Sequence, residues 1–228
     1  MQLPELVCGT FVQRDNRFRA TIMVDGRASS AHVANSGRLG ELLVAGKRIW
    51  LSPGNSPARR TAYDLLLVEH DGTLVSVDSQ LPNHLWAEYL HERGWQHDKV
   101  LSLAAERPYG SSRLDFCVDT QGGRTWMEVK SVTLVVGGRT LFPDAPTVRG
   151  ARHVGELARA VAQGDKGAVI FVVQRSDAAE FAPHALADPL FASTLTEAHK
   201  KGVTIQAYVC QVSLEHVRID RAIPVCLD

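Results

Sequence analysis

Two carboxylates and one lysine lie inside strand-like, otherwise apolar runs of this chain. Asp115 stands in RLDFCVDT, and Glu128 and Lys130 stand in RTWMEVKSVTL. A charge inside a strand is costly unless it is paired, solvated or bound to a metal ion. Because side chains two positions apart in a strand project to the same face, Glu128 and Lys130 point together, and a hairpin between the two runs would bring Asp115 alongside them.

This set of groups is typical of a site for a hard divalent cation. Asp115, Glu128 and the backbone carbonyl of Val129 would offer oxygen ligands that suit Mg²⁺ or Mn²⁺ better than zinc. Lys130 could then orient or deprotonate an attacking water, while the metal ion stabilises charge on phosphoryl oxygens. The alternative is a Glu128–Lys130 ion pair with Asp115 solvated at a sheet edge, since a pattern this short also occurs without a metal ion.

Two further polar side chains are candidates for the same site. Glu106 precedes Asp115 by nine residues and could supply a third carboxylate. Gln174 follows the apolar run 168–173, which predicts a strand. If that strand is the parallel neighbour of the strand that carries Lys130, we expect Gln174 to lie beside the lysine.

The first part of the chain carries an excess of positive charge. Residues 11–60 contain nine Lys and Arg against three Asp and Glu, whereas residues 61–150 contain eight against twelve. The basic excess favours a phosphate-contacting surface, with Phe11 or Phe18 as a platform on which bases stack, although we expect Phe18 in the core. The alternative is a polar barrel rim. The candidate nucleic-acid contacts in this part are Arg14, Asn16, Arg17, Arg19, Asn35 and Arg38.

A second candidate contact region is the segment FPDAPTVRGARH, which is proline-rich and then helical. Arg149 and His153 lie near the predicted helix start, where they could face a scissile phosphate. Equally, Asp144 and Thr147 could simply cap the helix. Both interpretations remain open on the residues alone.

The pattern of secondary structure changes near Pro82. The first 80 residues read as short strands with turns between them, including a hairpin at Asp71-Gly72 and one short helix at residues 40–46, which is typical of an OB-like β-barrel. After Pro82, strands and helices alternate, which indicates an α/β sheet. We therefore predict two domains, residues 1–81 and 82–228, and an overall α/β (α+β) fold.

The bulk composition excludes several classes of protein. A net charge of zero argues against a strongly basic DNA-coating protein. The four cysteines form no CxxC pair, which argues against a zinc site and a disulfide scaffold. The N-terminal MQLPELVCGT lacks the features of a signal peptide, and no run approaches the roughly 20 apolar residues of a membrane span. We expect a cytoplasmic protein that does not bind membranes.

Sequence motifs along most of the chain resemble those of known protein families. The ordered set of Glu106, Asp115, Glu128-Val129-Lys130 and Gln174 resembles the PD-(D/E)XK nuclease superfamily, with Leu114-Asp115 in the place of its Pro-Asp. The chain also resembles the bacterial and archaeal sugar fermentation stimulation protein family. This resemblance rests on the longer sequence motifs RDNRF, AHVANSGRLGELL, YGSSRLDF, EVKSVTL, FPDAPTVRGARHVGEL and VVQR.

The resemblance implies an N-terminal OB-like domain, a C-terminal PD-(D/E)XK nuclease-like α/β domain, and binding of DNA, or alternatively RNA. Carried onto this sequence, it implies Asp115 and Glu128 as ligands of Mg²⁺ or Mn²⁺, Lys130 as the water-activating lysine and Glu106 as an accessory acid. Two functions stay open: a metal-dependent nuclease, and a non-catalytic, sequence-tolerant DNA-binding regulator of sugar (maltose) metabolism.

Overall fold

The first domain is a closed β-barrel. The computed structural model describes residues 1–54 and 59–227. The barrel strands are β1 Val7–Asn16, β2 Arg19–Val24, β3 Arg27–His32, β4 Arg48–Pro53, β5 Tyr63–His70 and β6 Thr73–Ser76. They are ordered β3-β2-β1-β4-β5-β6, and a parallel pairing of β3 with β5 closes the sheet on itself. The predicted OB-like barrel is confirmed.

Alternation of side chains fills the barrel core. In β2, Ala20, Ile22 and Val24 are buried while the residues between them face outward, which is the two-residue period of a strand with one face in a core. The hairpin between β5 and β6 turns at Asp71 and Gly72, both with positive φ, as expected for a tight two-residue turn. This hairpin was predicted from the Asp-Gly pair and is confirmed.

Two sequence expectations for the barrel are wrong. Residues 40–46 form turns and not a helix, because a single apolar cluster between two glycines is too short to nucleate one. Phe18 does not lie in the core: it is 47% exposed, whereas Phe11 is buried at 2%. The β1–β2 hairpin turns at residues 17–18, so Phe18 projects from the rim.

The second domain is built on a mixed six-stranded sheet. Its elements are α1 Leu81–Arg93, β7 Ser102–Tyr109, β8 Ser112–Thr120, β9 Gly123–Val132, β10 Val135–Val136, β11 Arg139–Phe142, α2 Val148–Ala162, β12 Lys166–Val173, β13 Glu180–Pro183, α3 Pro189–Lys200, β14 Thr204–Val212 and β15 Val217–Ile223. The main sheet has the order β15-β14-β12-β9-β8-β7, with β9, β12 and β14 parallel, and β10, β11 and β13 form a small second sheet.

Helices cover both faces of the main sheet. Side chains of α2 and α3 share one core with β12 and β14, and α1 packs into a second core on the other face. Because both faces are covered, β12 is buried along almost its whole length. The α/β expectation for this part of the chain is confirmed.

The two domains are joined by packing and by hydrogen bonds. Leu67 of the barrel lies in the same core as α1. The backbone N–H of Ser76 donates to the carbonyl of Gln174 at 3.0 Å, and the Ser76 hydroxyl donates to the Gln174 side-chain oxygen at 3.0 Å. These contacts fix the barrel against the end of β12. Within the described residues, no helix has the length and apolar character needed to cross a membrane.

Candidate metal centre and nucleic-acid cleft

A cleft of 480 Å³ lies between the two domains, and most of the predicted site residues line it. Its lining combines charged groups from both domains with backbone of the segment 142–147. The charged and amide side chains of interest in this lining are Arg17, Asn35, Arg38, Asn83, Asp115, Glu128, Lys130, Asp144 and Arg149. We call Arg14, Arg17, Asn35 and Arg38 the barrel wall, and Asp115, Glu128, Lys130 and His153 the sheet wall.

Asp115 reaches the cleft where β8 and β9 separate. The antiparallel ladder between these strands ends at the pair Phe116 and Met127. Beyond it, the Asp115 carboxylate accepts a hydrogen bond from the backbone N–H of Val129 at 2.8 Å and one from the Asn83 amide at 3.3 Å. Burial, and then the nearby charge of Glu128, raise the pKa of Asp115 to about 6. An ionised Asp115 is therefore held at an energetic cost.

Glu128 is the most deeply buried acid of the sheet wall, at 3% exposure. Its Oε1 accepts from the Lys130 ammonium at 2.5 Å and bonds the His153 imidazole Nδ1 at 2.6 Å. Burial raises the pKa of Glu128, but Lys130 and His153 outweigh this effect and the net shift is downward. Its other oxygen, Oε2, is buried without a hydrogen-bond partner in the described chain.

These observations fit a divalent cation at the sheet wall. An unpaired buried carboxylate oxygen is costly, and it stands beside a second carboxyl group whose ionisation is also costly. A cation held by Asp115 and Glu128 would remove both costs, and the carbonyl of Val129, a residue that lines the cleft, is a further candidate ligand. In the described part of the chain, no group of three or more His, Cys, Asp and Glu side chains is placed to hold a metal, so water and phosphate oxygens would complete the coordination, as Mg²⁺ prefers.

Lys130 lies where the strand period predicted. It projects with Glu128 from β9, and its side chain is 15% exposed at the cleft. In the parallel ladder its register partner on β12 is Phe171, not Gln174. Gln174 is fully buried three residues further on, where its amide donates to the Ser131 hydroxyl at 2.9 Å. Gln174 thus contacts the lysine's neighbour and the barrel, and it is not part of the cleft lining.

Glu106 does not join the acidic pair. It lies between the register pairs Ala105–Phe116 and Arg107–Leu114, opposite Asp115. Its φ of 54° puts it in the left-handed region, and its carboxylate instead forms an exposed ion pair with Arg113 at 2.7 Å. The expectation that Glu106 supplies a third carboxylate is therefore corrected: the local reversal of the backbone turns the side chain away from the cleft.

Two predicted phosphate contacts of the barrel wall are structural. The Arg14 guanidinium donates to the backbone carbonyls of Arg17, Asn35, Gly37 and Arg38 at 2.6 to 2.9 Å. The Asn35 side chain is buried and bonds the backbone of Val77 and Gly37. The two terminal nitrogens of Arg14 and the amide of Asn35 are bonded in this way, while Arg14 Nε is buried without a partner in the described chain. Arg14 and Asn35 therefore shape the wall and leave its exposed cations to face the cleft.

The remaining candidates of the barrel lie on its rim. Asn16 accepts a hydrogen bond from the N–H of Phe18 and so stabilises the β1–β2 turn. Arg19 is exposed and pairs with Asp15 at 3.6 Å. Neither residue is part of the cleft lining, whereas the exposed Arg17 and Arg38 are. Arg38 is positioned through its backbone N–H, which donates to Asp144 of the second domain at 2.7 Å.

The segment before α2 combines both interpretations left open by the sequence. Thr147 caps the helix by accepting from the N–H of Gly150 at 3.0 Å, while Asp144 bonds the barrel. Arg149 is exposed on the cleft. His153 corrects the expectation of a phosphate contact, because it is 2% exposed and bonded to Glu128.

Two groups contact the acids in ways that the sequence did not predict: Asn83 was not a candidate, and His153 was expected to contact phosphate. Asn83 of α1 bonds Asp115, and His153 of α2 holds Glu128. The position of Asn83 two residues after the helix start gave no indication of this contact. The spacing of Arg149 and His153 by four residues, however, places both on one helix face, and this face is the one turned to β9.

The comparisons with known proteins agree with the fold. Residues 12–77 match the SfsA N-terminal OB domain, and residues 80–216 match the sugar fermentation stimulation protein RE domain. The sugar fermentation stimulation protein homolog of Desulforamulus reducens is 45% identical over 226 residues, covering 99% of this chain and 94% of the relative. That of Moorella thermoacetica is 44% identical over 216 residues, with 93% of each chain covered.

A solved structure supports the same assignment. Pyrococcus furiosus SfsA in complex with Ca²⁺ superimposes with a TM-score of 0.90 at 28% sequence identity, covering 99% of this chain and 97% of that chain. The arrangement of barrel and α/β domain described above is therefore shared over nearly the full length of both chains.

Proposed function

This chain belongs to the sugar fermentation stimulation protein family, and we propose that it is a DNA-binding protein that hydrolyses phosphodiester bonds with Mg²⁺ or Mn²⁺ at Asp115 and Glu128. The observation that carries the proposal is the buried Oε2 of Glu128, which has no hydrogen-bond partner among the described residues, near a carboxyl group whose pKa is raised to about 6. This arrangement lies in a cleft with exposed arginines on its rim. A related chain from Pyrococcus furiosus is described in complex with Ca²⁺.

The sheet wall is suited to catalysis more than to binding alone. Two carboxylates in a cleft repel a polyanion, so a protein that only bound DNA would gain nothing from Asp115 and Glu128 unless a cation bridged them to phosphate. When bound, a divalent ion would stabilise charge on the phosphoryl oxygens and favour ionisation of an attacking water.

Each residue of the sheet wall has a separate role in this proposal. Lys130, whose ammonium faces the cleft, donates a hydrogen bond that orients the attacking water and stabilises the hydroxide formed when the proton of the water passes to solvent. His153 acts as a positioning residue, because its bond to Oε1 fixes the Glu128 carboxylate and turns Oε2 toward the ligand. Gln174 also acts by positioning: it holds Ser131, the neighbour of Lys130, against the barrel.

The nucleic-acid backbone is proposed to run along the exposed cations of the cleft. Arg17 and Arg38 approach from the barrel and Arg149 from α2, so a strand between them has guanidinium groups on both sides. Asn16 and Arg19 would contact the strand only beyond the cleft, on the barrel rim. Arg14 and Asn35 support this surface from behind.

A cleavage assay tests the proposal. Single- and double-stranded DNA and RNA are incubated with Mg²⁺, Mn²⁺ or EDTA and the wild type, Asp115→Ala or Asp119→Ala. Asp119 lies on the same strand, where it is bonded to Arg124 outside the cleft, and serves as the matched control. We expect metal-dependent cleavage by the wild type and Asp119→Ala, and a loss of at least about 100-fold in Asp115→Ala.

The other outcomes are also informative. Unchanged cleavage by Asp115→Ala would exclude the sheet wall as the catalytic site. Absence of cleavage by the wild type on every substrate, with salt-sensitive DNA binding intact, would favour the non-catalytic DNA-binding regulator instead.

A further inference from the structure

The exposed ring of Phe18 has no structural role that explains its position. It is 47% exposed although six-carbon aromatic rings usually contribute to a core. Among its neighbours are His32, with ring centroids 6.3 Å apart, and Arg17, whose guanidinium lies 5.9 Å from the ring centroid. The ring is therefore exposed to solvent next to the guanidinium of Arg17.

The turn that carries Phe18 is rigidly held. Its N–H donates to the Asn16 side chain at 2.9 Å, and its carbonyl accepts from the N–H of Val33 and bonds the His32 ring, each at 3.0 Å. The preceding carbonyl, that of Arg17, accepts from Arg14 at 2.7 Å. These bonds fix the backbone from which the exposed ring projects.

Phe18 is also adjacent to the cleft. Arg17, the residue before it, lines the same cleft as Asp115 and Glu128. A nucleic-acid strand whose phosphate contacts Arg17 would therefore have a base within reach of the neighbouring ring. Aromatic side chains next to a phosphate-binding groove are the usual means by which proteins stack successive bases of a single strand.

We infer that Phe18 is a base-stacking platform, and that the nucleic acid bound in the cleft is unpaired where it crosses the barrel rim. In a continuous duplex both faces of each base are covered by neighbouring bases, so only an unpaired or terminal base has a face free for Phe18. This inference rests on the proposed function and defines its substrate class as single-stranded nucleic acid or a duplex with a single-stranded end.

Binding of matched oligonucleotides to the full chain tests the inference. The probes are single strands of about 16 nucleotides, in DNA and RNA form, the same DNA strand with abasic sugars, and the corresponding duplex, all measured with Ca²⁺ present. We expect Phe18→Ala to weaken binding of the base-bearing single strands about tenfold, and binding of the abasic strand and the duplex less than about twofold.

Two further variants control for general effects. Phe18→Tyr keeps a stacking ring and should bind as the wild type does. Val12→Ala removes an exposed apolar side chain from β1, the strand that precedes the turn of Phe18, and should change nothing. In Phe18→Trp, the indole fluorescence should be quenched by the base-bearing strand and not by the abasic one, which is a signature of stacking that a structural role would not produce.

The outcomes separate this inference from the proposed function. Equal weakening of base-bearing and abasic strands in Phe18→Ala would overturn the stacking platform and leave the metal site untouched. If the wild type bound none of the probes, the proposed function would fail and the inference with it. The DNA and RNA arms show which single strand the platform prefers.

Discussion

The two walls of the cleft hold their charges in opposite ways. In the barrel wall, Arg14 is bonded to four backbone carbonyls and Asn35 to two backbone groups. In the sheet wall, Glu128 keeps one buried oxygen without a partner in the described chain, and the pKa of Asp115 is raised to about 6. The Nε of Arg14 is also buried without a hydrogen-bond partner in the described chain, so each wall has one unsatisfied group. The two groups differ in chemistry, because a carboxylate oxygen can bind a cation and a guanidinium N–H cannot.

This difference indicates which wall was shaped around a ligand. A polar group satisfied by backbone contributes to stability whether or not anything binds. A buried carboxylate with an open oxygen lowers stability until a cation arrives, and such costs persist mainly at functional sites. We therefore expect variants of the sheet wall to change chemistry and metal response, and variants of the barrel wall to divide between stability and nucleic-acid affinity.

The largest expected effect is on the cleavage rate of Lys130→Ala. Removing the ammonium removes the group proposed to prepare the attacking water, and such groups usually contribute about 100-fold or more to the rate. Binding of uncleaved DNA should change little. Single-turnover cleavage with excess enzyme, together with a binding isotherm, measures both quantities.

The matched control is Lys166→Ala, at the start of β12 and outside the cleft lining. It should cleave as the wild type does. Normal cleavage by Lys130→Ala would show that the sheet wall does not supply the water-activating group and would remove one side of the comparison.

The next largest effect is expected on the free energy of unfolding, for the variant Asp115→Asn. The asparagine keeps the size of the side chain and an oxygen for the Val129 N–H, and it removes the cost of ionisation. The shift of the Asp115 pKa from 3.8 to about 6 corresponds to about 3 kcal/mol. Without divalent cations at pH 8, we expect the variant to be more stable than the wild type by up to this amount.

The pH dependence of that difference has a definite sign. The folded pKa of Asp115 lies above the unfolded value, so its contribution to wild-type stability is fully present below pH 3.8 and is lost as the pH rises through about 6. The advantage of Asp115→Asn should therefore grow across this window. Effects of Glu128, whose pKa is lowered, act in the opposite direction but are present in both proteins.

Thermal unfolding at several pH values, with and without Mn²⁺ or Ca²⁺, checks this prediction. The wild type should be stabilised by the cation and Asp115→Asn should not. Asp119→Asn is the control, because the ion pair with Arg124 lowers the pKa of Asp119 and its removal should give no stabilisation. If Asp115→Asn were less stable than the wild type at pH 8, this would contradict the idea that an ionised Asp115 lowers the free energy of unfolding when no cation is added.

Local rules predicted much of the site but little of its bonding, beyond the Glu128–Lys130 ion pair and the helix cap at Thr147. The two-residue period of a strand was sufficient to bring Glu128 and Lys130 to one face. The prediction for Glu106 failed because its own backbone φ of 54° redirects its side chain. The spacing of residues in the sequence does not encode such a local change. His153 and Arg14 were assigned to phosphate because their actual partners, Glu128 and a set of backbone carbonyls, come from other parts of the chain.

The same reasoning explains which elements of the fold were missed. The edge strand β7 has an exposed, non-alternating sequence, SLAAERPY, since an edge strand with little core contact shows no hydrophobic period. The central strand β12 was recognised because burial on both faces makes it almost entirely apolar, and β9 was recognised from the apolar residues that surround its charged positions. Phe18 was assigned to the core by its residue type alone, and only the turn geometry shows that it is exposed.

The smallest expected effects distinguish two arginines of the barrel wall. Arg17→Ala removes an exposed cation from the cleft, so we expect DNA affinity to fall about threefold to tenfold and the salt dependence of binding to weaken by about one counterion. Arg14→Ala should instead lower the free energy of unfolding by about 1–3 kcal/mol, since it leaves four carbonyls without their donor. Arg27→Ala, at the start of β3 and outside the cleft lining, is the control of equal charge. Binding titrations at several salt concentrations and urea unfolding separate the two responses. If Arg14→Ala weakened binding and left stability unchanged, Arg14 would be a ligand contact and not a structural residue, and the contrast with the sheet wall would be lost.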